Sequence, residues 1–279
     1  MKPASFDYVA ARDIDHALDL FSTESDDTKY IAGGQTLGPM LNLRLSQPDR
    51  VIDLGRIEAL RGARHEGERV IYGAAVRHAE IEDGELPDPS AGLMPHAAAQ
   101  LAYRAVRNRG TLGGSLAHAD PAAEWPNILL ALEASVHLHG SAGRRELPLA
   151  AFQQGYLTTA LAPDEILVAI AVPVLGPQAS WGYRKLCRQP GEFAQSMGVT
   201  VRRGPGAARC VLGCAGPVPL LLPAVSALAG RLDAWTPGAG DDIDGAFDAD
   251  LAGAGVTLDA LDRGMHLAVV TRSIRETLA

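Results

Sequence analysis

Apolar and polar positions change period several times along the chain, and each change marks an element. "FDYVAA" near the start reads as a short strand. In "DIDHALDLFSTE", Ile14, Ala17, Leu18 and Phe21 fall at i, i+3, i+4 and i+7, one face of a helix. Asp13 suits its N-cap. "KYIAGG" is a strand running into glycines, "TLGPMLNLRL" is helical after that turn, and "RVIDL" is a further strand. The order predicts a small βαβ unit with a phosphate-competent turn after its second strand.

The middle of the chain mixes periods. "RVIYGAAVRHAEIED" predicts a strand, a turn and a short helix, and "SAGLMPHAAAQLAYRAVRN" one continuous helix. "AEWPNILLALEASVHLHG" predicts a helix ending near Glu133 and then a strand. "LPLAAFQQG" and "DEILVAIAVPV" add a short helix and a strand. The Pro/Gly stretch "PVLGPQASWG" marks a boundary near residue 176. Beyond it, "WGYRKLCRQ", "QSMGVTVRRG" and "AARCVLGCAG" predict three antiparallel strands. "PAVSALAGRL" and "DALDRGMHLAVVTRSIRETL" are helices, whereas "WTPGAGDDIDGAFDADLAGAG" between them is expected to be mostly irregular. The fold class is α+β, in three parts: 1–55, 56–175 and 176–279.

Composition narrows the function. The 279 residues suffice for about two ordinary domains. Hydrophobic residues make up 47% but aromatics only 5%, so Ala, Val and Leu must do most of the packing. A net charge of -8 argues against nucleic acid, which needs basic clusters, but not against one diphosphate held by backbone N–H groups. Cys187, Cys210 and Cys214 form no disulfide framework, and no CxxC or His stands near them to hold a metal or an iron–sulfur cluster. The N-terminal stretch lacks the apolar core of a signal peptide, and no run approaches the roughly 18 apolar residues of a membrane span. A cytoplasmic protein is expected.

Two glycine loops carry the candidate chemistry. "IAGGQT", Ile31 to Thr36, has adjacent glycines after a strand, with Gln35 and Thr36 as donors. It is neither G-x-G-x-x-G nor a P-loop. "RGTLGGS", Arg109 to Ser115, has three glycines in five positions plus the hydroxyls of Thr111 and Ser115. Two such loops about eighty residues apart suit a long ligand with phosphates in its middle. "HADPAAEWP" follows the second loop with His118, Asp120 and Glu124. One His is too few for a zinc site, and Ser115 lies in no nucleophile elbow. The plain reading makes Asp120 the N-cap of a helix with Pro121 at N1, leaving Glu124 in its first turn beside the loop. "DDIDGAFDAD" lacks the terminal Glu of a calcium loop.

"AGGQTLGPMLNLRL" and "RNRGTLGGSLAHADPAAEWP" closely resemble the FAD-binding subunit of molybdenum hydroxylases, a family that includes the carbon monoxide dehydrogenase medium subunit and the xanthine dehydrogenase flavin domain. "GYLTTALAPDEILVAIAVP" and "WGYRKLCRQPGEFAQSMGVTV" extend the resemblance in family order, over nearly the whole chain. It implies a two-part FAD-binding domain followed by a C-terminal domain with a three-stranded antiparallel sheet and helices. It implies that Ala32, Gly33, Gly34, Gln35 and Thr36 hold the FAD diphosphate, with Leu37 near the flavin ring. Thr111, Gly113, Gly114 and Ser115 carry over to the phosphates and ribityl chain, and Ala102, Asp120 and Glu124 join the same site. Leu167 matches a residue on the adenine, Lys185 a lysine reaching the flavin, and Phe193 an aromatic near the ring.

The family's pattern also implies that substrate is oxidised on a large molybdopterin subunit, and that electrons arrive through [2Fe-2S] clusters of a small subunit, in a dimer of heterotrimers. The alternative is a self-contained FAD-dependent oxidoreductase with its own small-molecule substrate. The sequence departs from the pattern at Glu192, where relatives carry Asp, at Tyr103, where many carry His, and in a loosely matched C-terminal stretch.

Overall fold

The computed structural model describes residues 2–22 and 27–279. Its N-terminal part contains β1 (Asp7–Ala10), α1 (Ile14–Ser22), β2 (Thr28–Ile31), α2 (Leu37–Asn42) and β3 (Arg50–Asp53). β3 lies between β1 and β2 and runs parallel to both, as the βαβ pattern predicted. Parallel neighbours need crossovers, and α1 and α2 supply them. Asp13 accepts the His16 backbone N–H at 2.7 Å, so it caps α1. Thr23 and Glu24, the predicted end of this helix, lie outside the described residues. The apolar stripe of α1 packs on Ile52 and Leu54, and Phe21 stacks on Tyr30 with ring centroids 5.2 Å apart.

The second part is built on an antiparallel five-stranded sheet. It opens with β4 (Ala63–Glu66) and β5 (Arg69–Gly73), followed by α3 (His78–Glu82), α4 (Leu93–Gln100), α5 (Arg104–Arg107), α6 (Leu112–His118) and α7 (Glu124–Ala131). Then come β6 (Ser135–Gly140), β7 (Gly143–Pro148), α8 (Leu149–Phe152), a small ribbon of β8 (Gln153–Gly155) and β9 (Thr158–Thr159), and β10 (Ile166–Pro173). The sheet order is β4-β5-β10-β6-β7. The edge strands β4 and β7 escape the hydrophobic pattern because their residues are almost all exposed or half-buried. Only pairing with β5 and β6 makes them strands.

Two local expectations here are corrected. The helix predicted over residues 90–108 is broken into α4 and α5 at Ala102, which has φ +43. The Arg107 guanidinium donates to the carbonyls of Leu101 and Ala102 at 2.9 and 3.0 Å and to both Glu82 oxygens, tying the break to α3. Asp120 does not cap α7 either. Its carboxylate accepts the Ala122 N–H at 2.8 Å in a separate turn, and the cap position falls to Ala123. All eight α7 residues are buried.

The C-terminal part has β11 (Ser180–Leu186), β12 (Ser196–Gly204) and β13 (Ala207–Gly213), three long antiparallel strands. The two-residue β14 (Leu220–Leu221) adds a fourth, so the sheet is four-stranded rather than three-stranded. α9 (Pro223–Arg231), α10 (Pro237–Gly253) and α11 (Ala260–Glu276) complete the chain. The stretch expected to be irregular is thus the 17-residue helix α10. Ala239, Ile243, Phe247 and Leu251 recur every four residues and are buried, while Gly238, Gly245 and Gly253 face open space. α11 lies directly on the sheet, with Gly198 so close that a Cβ there would sit 2.7 Å from the Val269 carbonyl oxygen.

One hydrophobic cluster runs through β5, β6, β10, α4 and α7 and continues across residue 176 into Tyr183, Met197, Val199, Val201 and Val211. α7 is therefore packed between the two sheets. Among the described residues, no helix is long and apolar enough to cross a membrane.

Candidate functional site

A cleft of about 640 Å³ opens where the N-terminal part meets the second part. That volume lies in the range of sites that bury a sizeable organic ligand. The first glycine loop forms one lip, between the end of β2 and the start of α2. Gly34 has φ +70, a turn that a side chain would strain. Among the described residues, the N–H groups of Gly33, Gly34, Gln35 and Thr36 donate to no acceptor of the chain. Buried or ligand-facing N–H groups require partners, so this loop is an open donor array. The Gln35 side-chain amide instead turns back to the Gly33 carbonyl at 3.1 Å.

The second loop is built differently. Leu112 and Gly113 N–H donate to the Val76 and Ala74 carbonyls, both at 2.9 Å. Gly114 N–H donates to the Thr111 hydroxyl at 3.1 Å, which caps α6. Each glycine has a packing reason. A Cβ would meet His78 Nε2 at 2.7 Å from Gly110, the Ala74 side chain at 2.5 Å from Gly113, and Thr111 Oγ1 at 2.7 Å from Gly114. Close packing on His78, Ala74 and Thr111 is thus one reason for the density of glycines in this loop. The loop still lines the cleft through Thr111, Gly113, Gly114 and Ser115. The two loops touch: a Cβ on Gly33 would strike the Arg109 carbonyl oxygen and sit 2.7 Å from the Gly110 Cα.

Apolar walls extend the cleft in both directions, from Leu37, Leu101 and Ala102 to Ile166 and Leu167, with exposed Phe193 at the rim. Of the residues singled out in the sequence, the cleft brings together Ala32, Gly33, Gly34, Gln35, Thr36, Leu37, Ala102, Thr111, Gly113, Gly114, Ser115, Glu124, Leu167 and Phe193. Asp120 and Lys185 do not line it. Asp120 is held in its own turn, and Lys185 Nζ is buried against Glu124 Oε1 at 2.6 Å. Burial pushes the Glu124 carboxyl above the usual carboxylate range, and the Lys185 charge offsets only part of this. Tyr183, whose buried hydroxyl has no partner among the described residues, is likewise pushed up by burial and by Glu124.

The sequence pattern missed His78. It sits in α3, outside both glycine loops, and lines the cleft from behind the second one. His118 also lines the cleft, as a half-buried side chain at the end of α6. The carboxylates of "DDIDGAFDAD" are used structurally: Asp244 and Asp248 pair with Arg263 at 2.5 and 2.7 Å.

A row of open backbone donors on a largely apolar cleft can hold an anionic group of a sizeable ligand. Comparison with known proteins specifies the class. Residues 4–175 match the family described as the FAD binding domain in molybdopterin dehydrogenase. The chain is 40% identical over 194 residues to the 6-hydroxypseudooxynicotine dehydrogenase complex subunit alpha of Paenarthrobacter nicotinovorans. That match covers 70% of this chain and 66% of that subunit, just under two thirds of its length. It is 37% identical over 206 residues to the carbon monoxide dehydrogenase medium chain of Hydrogenophaga pseudoflava, covering 74% of this chain and 72% of that one. A solved Hydrogenophaga pseudoflava carbon monoxide dehydrogenase, lacking the Mo-pyranopterin moiety of its cofactor, superposes with a TM-score of 0.89 at 33% identity, over 99% of this chain and 98% of that one. The chain belongs to the FAD-binding family of the molybdopterin dehydrogenases. It is an oxidoreductase subunit with an FAD-binding domain.

Proposed function

We propose that this chain is the FAD-carrying electron-transfer subunit of a molybdenum hydroxylase. In this reading it takes electrons from [2Fe-2S] clusters of a small partner and passes them to an external acceptor, while substrate is oxidised on a large molybdopterin subunit. Both relatives are named as parts of larger enzymes, a complex subunit and a medium chain, which supports the reading. The observation that carries it is the open donor array of Gly33 to Thr36 on one lip of the cleft.

The residues present fit FAD. Four free N–H groups suit a diphosphate without any net positive charge. The second loop, with Thr111 and Ser115, would flank the ribityl chain. Leu167 would cover the adenine, and Leu37, Ala102 and Phe193 the flavin. Glu124 would accept from ligand hydroxyls, Lys185 would act on the ligand only through Glu124, and Asp120 would brace the turn before α7. When bound, FAD takes up electrons singly and gives them up in pairs. The chain's own task is then to hold the ring, exclude water from it and present one edge to partners. In this assignment residues 1–55 and 56–175 form the two halves of the FAD-binding domain and 176–279 the domain behind it. Assembly as a dimer of heterotrimers in the cytoplasm completes the proposal.

The test is purification of the tagged chain from its native host, with absorbance and mass spectrometry of the copurifying material. An oxidised-flavin spectrum together with a molybdopterin subunit and a [2Fe-2S] subunit is expected. A flavin-bearing chain that purifies alone and turns over a substrate would replace this reading with a self-contained oxidoreductase. A colourless chain that takes up no added FAD would refute it.

A further inference from the structure

His78 is unusual in being both enclosed and unfinished. It is 5% exposed, yet it borders the cleft. Trp125 Nε1 donates to its Nδ1 at 3.0 Å. An indole nitrogen can only donate, so His78 Nδ1 must be the acceptor and the ring proton must sit on Nε2. The imidazole is held neutral: burial and the nearby Arg107 charge lower its pKa to about 3. Nε2–H therefore stays a donor over the whole physiological range. Among the described residues it has no partner, and it is not among the fully enclosed polar atoms left without one. The ring edge bearing Nε2 packs at Gly110, where a Cβ would lie 2.7 Å from that nitrogen. Gly110 is in turn the residue that touches Gly33 of the first loop. The unused donor thus stands at the junction of the two glycine loops.

We infer that His78 is a positioning residue that donates through Nε2–H to an oxygen in the diphosphate–ribityl section of the ligand, with Trp125 fixing its tautomer. The inference rests on the flavin reading above and adds a contact outside both glycine loops. A neutral imidazole suits this place. It supplies a directed donor beside the open N–H groups of Gly33 to Thr36 without a charge that burial would penalise. Its rigidity follows from the packing, since Trp125 is fully buried and Gly110 leaves no room for the ring to swing.

The experiment is a titration of the full chain, freed of flavin and labelled with ¹⁵N-histidine, with FAD and with riboflavin. It is joined by FAD dissociation constants for His78→Leu and His78→Gln. Before ligand, His78 should show the Nε2–H tautomer; FAD should shift Nε2 and its proton and leave Nδ1 in place. His78→Leu should weaken FAD about tenfold, the loss of one hydrogen bond. His78→Gln, which keeps a side-chain N–H, should recover most of it. Far-ultraviolet dichroism and thermal unfolding report whether each variant keeps its fold, and if neither does, the wild-type titration decides alone. Unmoved Nε2 signals at saturating FAD, or His78→Leu binding FAD as tightly as wild type, would overturn the inference while leaving the flavin site standing. A wild-type chain that binds no FAD would remove both.

Discussion

At the scale of single residues, the Glu124–Lys185 pair has the most to say. Both side chains are buried, and Lys185 also reaches toward the Gln100 carbonyl at 3.4 Å. Removing one partner of a buried pair strands the other charge, whereas replacing both with apolar groups is often neutral. Lys185→Met should cost about 3–5 kcal/mol in urea unfolding at neutral pH. The double variant Lys185→Met/Glu124→Leu should recover most of that loss. The pH dependence has a definite sign. The folded Glu124 carboxyl already titrates above its unfolded value, and losing Lys185 raises it further. A raised folded value means stability present at low pH and lost as pH rises through it. The deficit of Lys185→Met should therefore shrink on acidification; a deficit flat from neutral pH to pH 4 would contradict this. Gly33 makes a second residue-scale case. Gly33→Ala would force the two loop backbones apart, so FAD content should fall at least tenfold and the melting temperature should drop with it.

At the scale of elements, α10 shows why a glycine- and aspartate-rich stretch can still be helical. Its intrinsic propensity is poor, with several glycines each costing up to about 1 kcal/mol. Its four-residue apolar stripe is legible in the sequence but was outweighed there by composition. The decisive contact is not local: Asp250 accepts the Ala224 and Val225 backbone N–H groups, both at 2.9 Å, and so caps α9 from another helix. Asp250→Ala should destabilise the chain by about 1–2 kcal/mol, with Asp250→Asn milder, as seen by thermal unfolding. FAD content should be unaffected, since α10 lies away from the cleft residues. The reverse holds at α4 and α5, where local propensity favours one continuous helix but Arg107 and the left-handed Ala102 break it.

At the scale of the whole molecule, the cluster that crosses residue 176 couples the cleft to the C-terminal sheet. α7 is covered on one side by β12 and β13, and it carries Glu124 to the cleft. A fragment ending at residue 175 would uncover the α7 face that packs at Gly213, with the buried Asn127, and leave Glu124 without Lys185. It should aggregate or bind hydrophobic dye as a loosely packed state, and the intact chain should unfold residues 56–279 in one calorimetric transition. Two separate transitions, or a soluble, cooperatively folded fragment of residues 1–175, would contradict that coupling.

The sequence by itself determined the βαβ start, the inner strands β5, β6 and β10 of the central sheet, the three long strands of the C-terminal sheet, and both glycine loops, because each rests on short-range periodicity or on turn chemistry. It also marked fourteen of the residues that line the cleft. What only the tertiary structure decided depends on neighbours far apart in the chain. The edge strands β4 and β7 exist through pairing, and α10 through the surface it covers. The first loop keeps free donors among the described residues, while the second spends its own on the Ala74 and Val76 carbonyls and on Thr111. Lys185 is turned from the cleft to Glu124, and His78 is left with one unused N–H. Local pattern dictates which backbone conformation is cheap; which polar group ends up without a partner is settled only when distant segments meet.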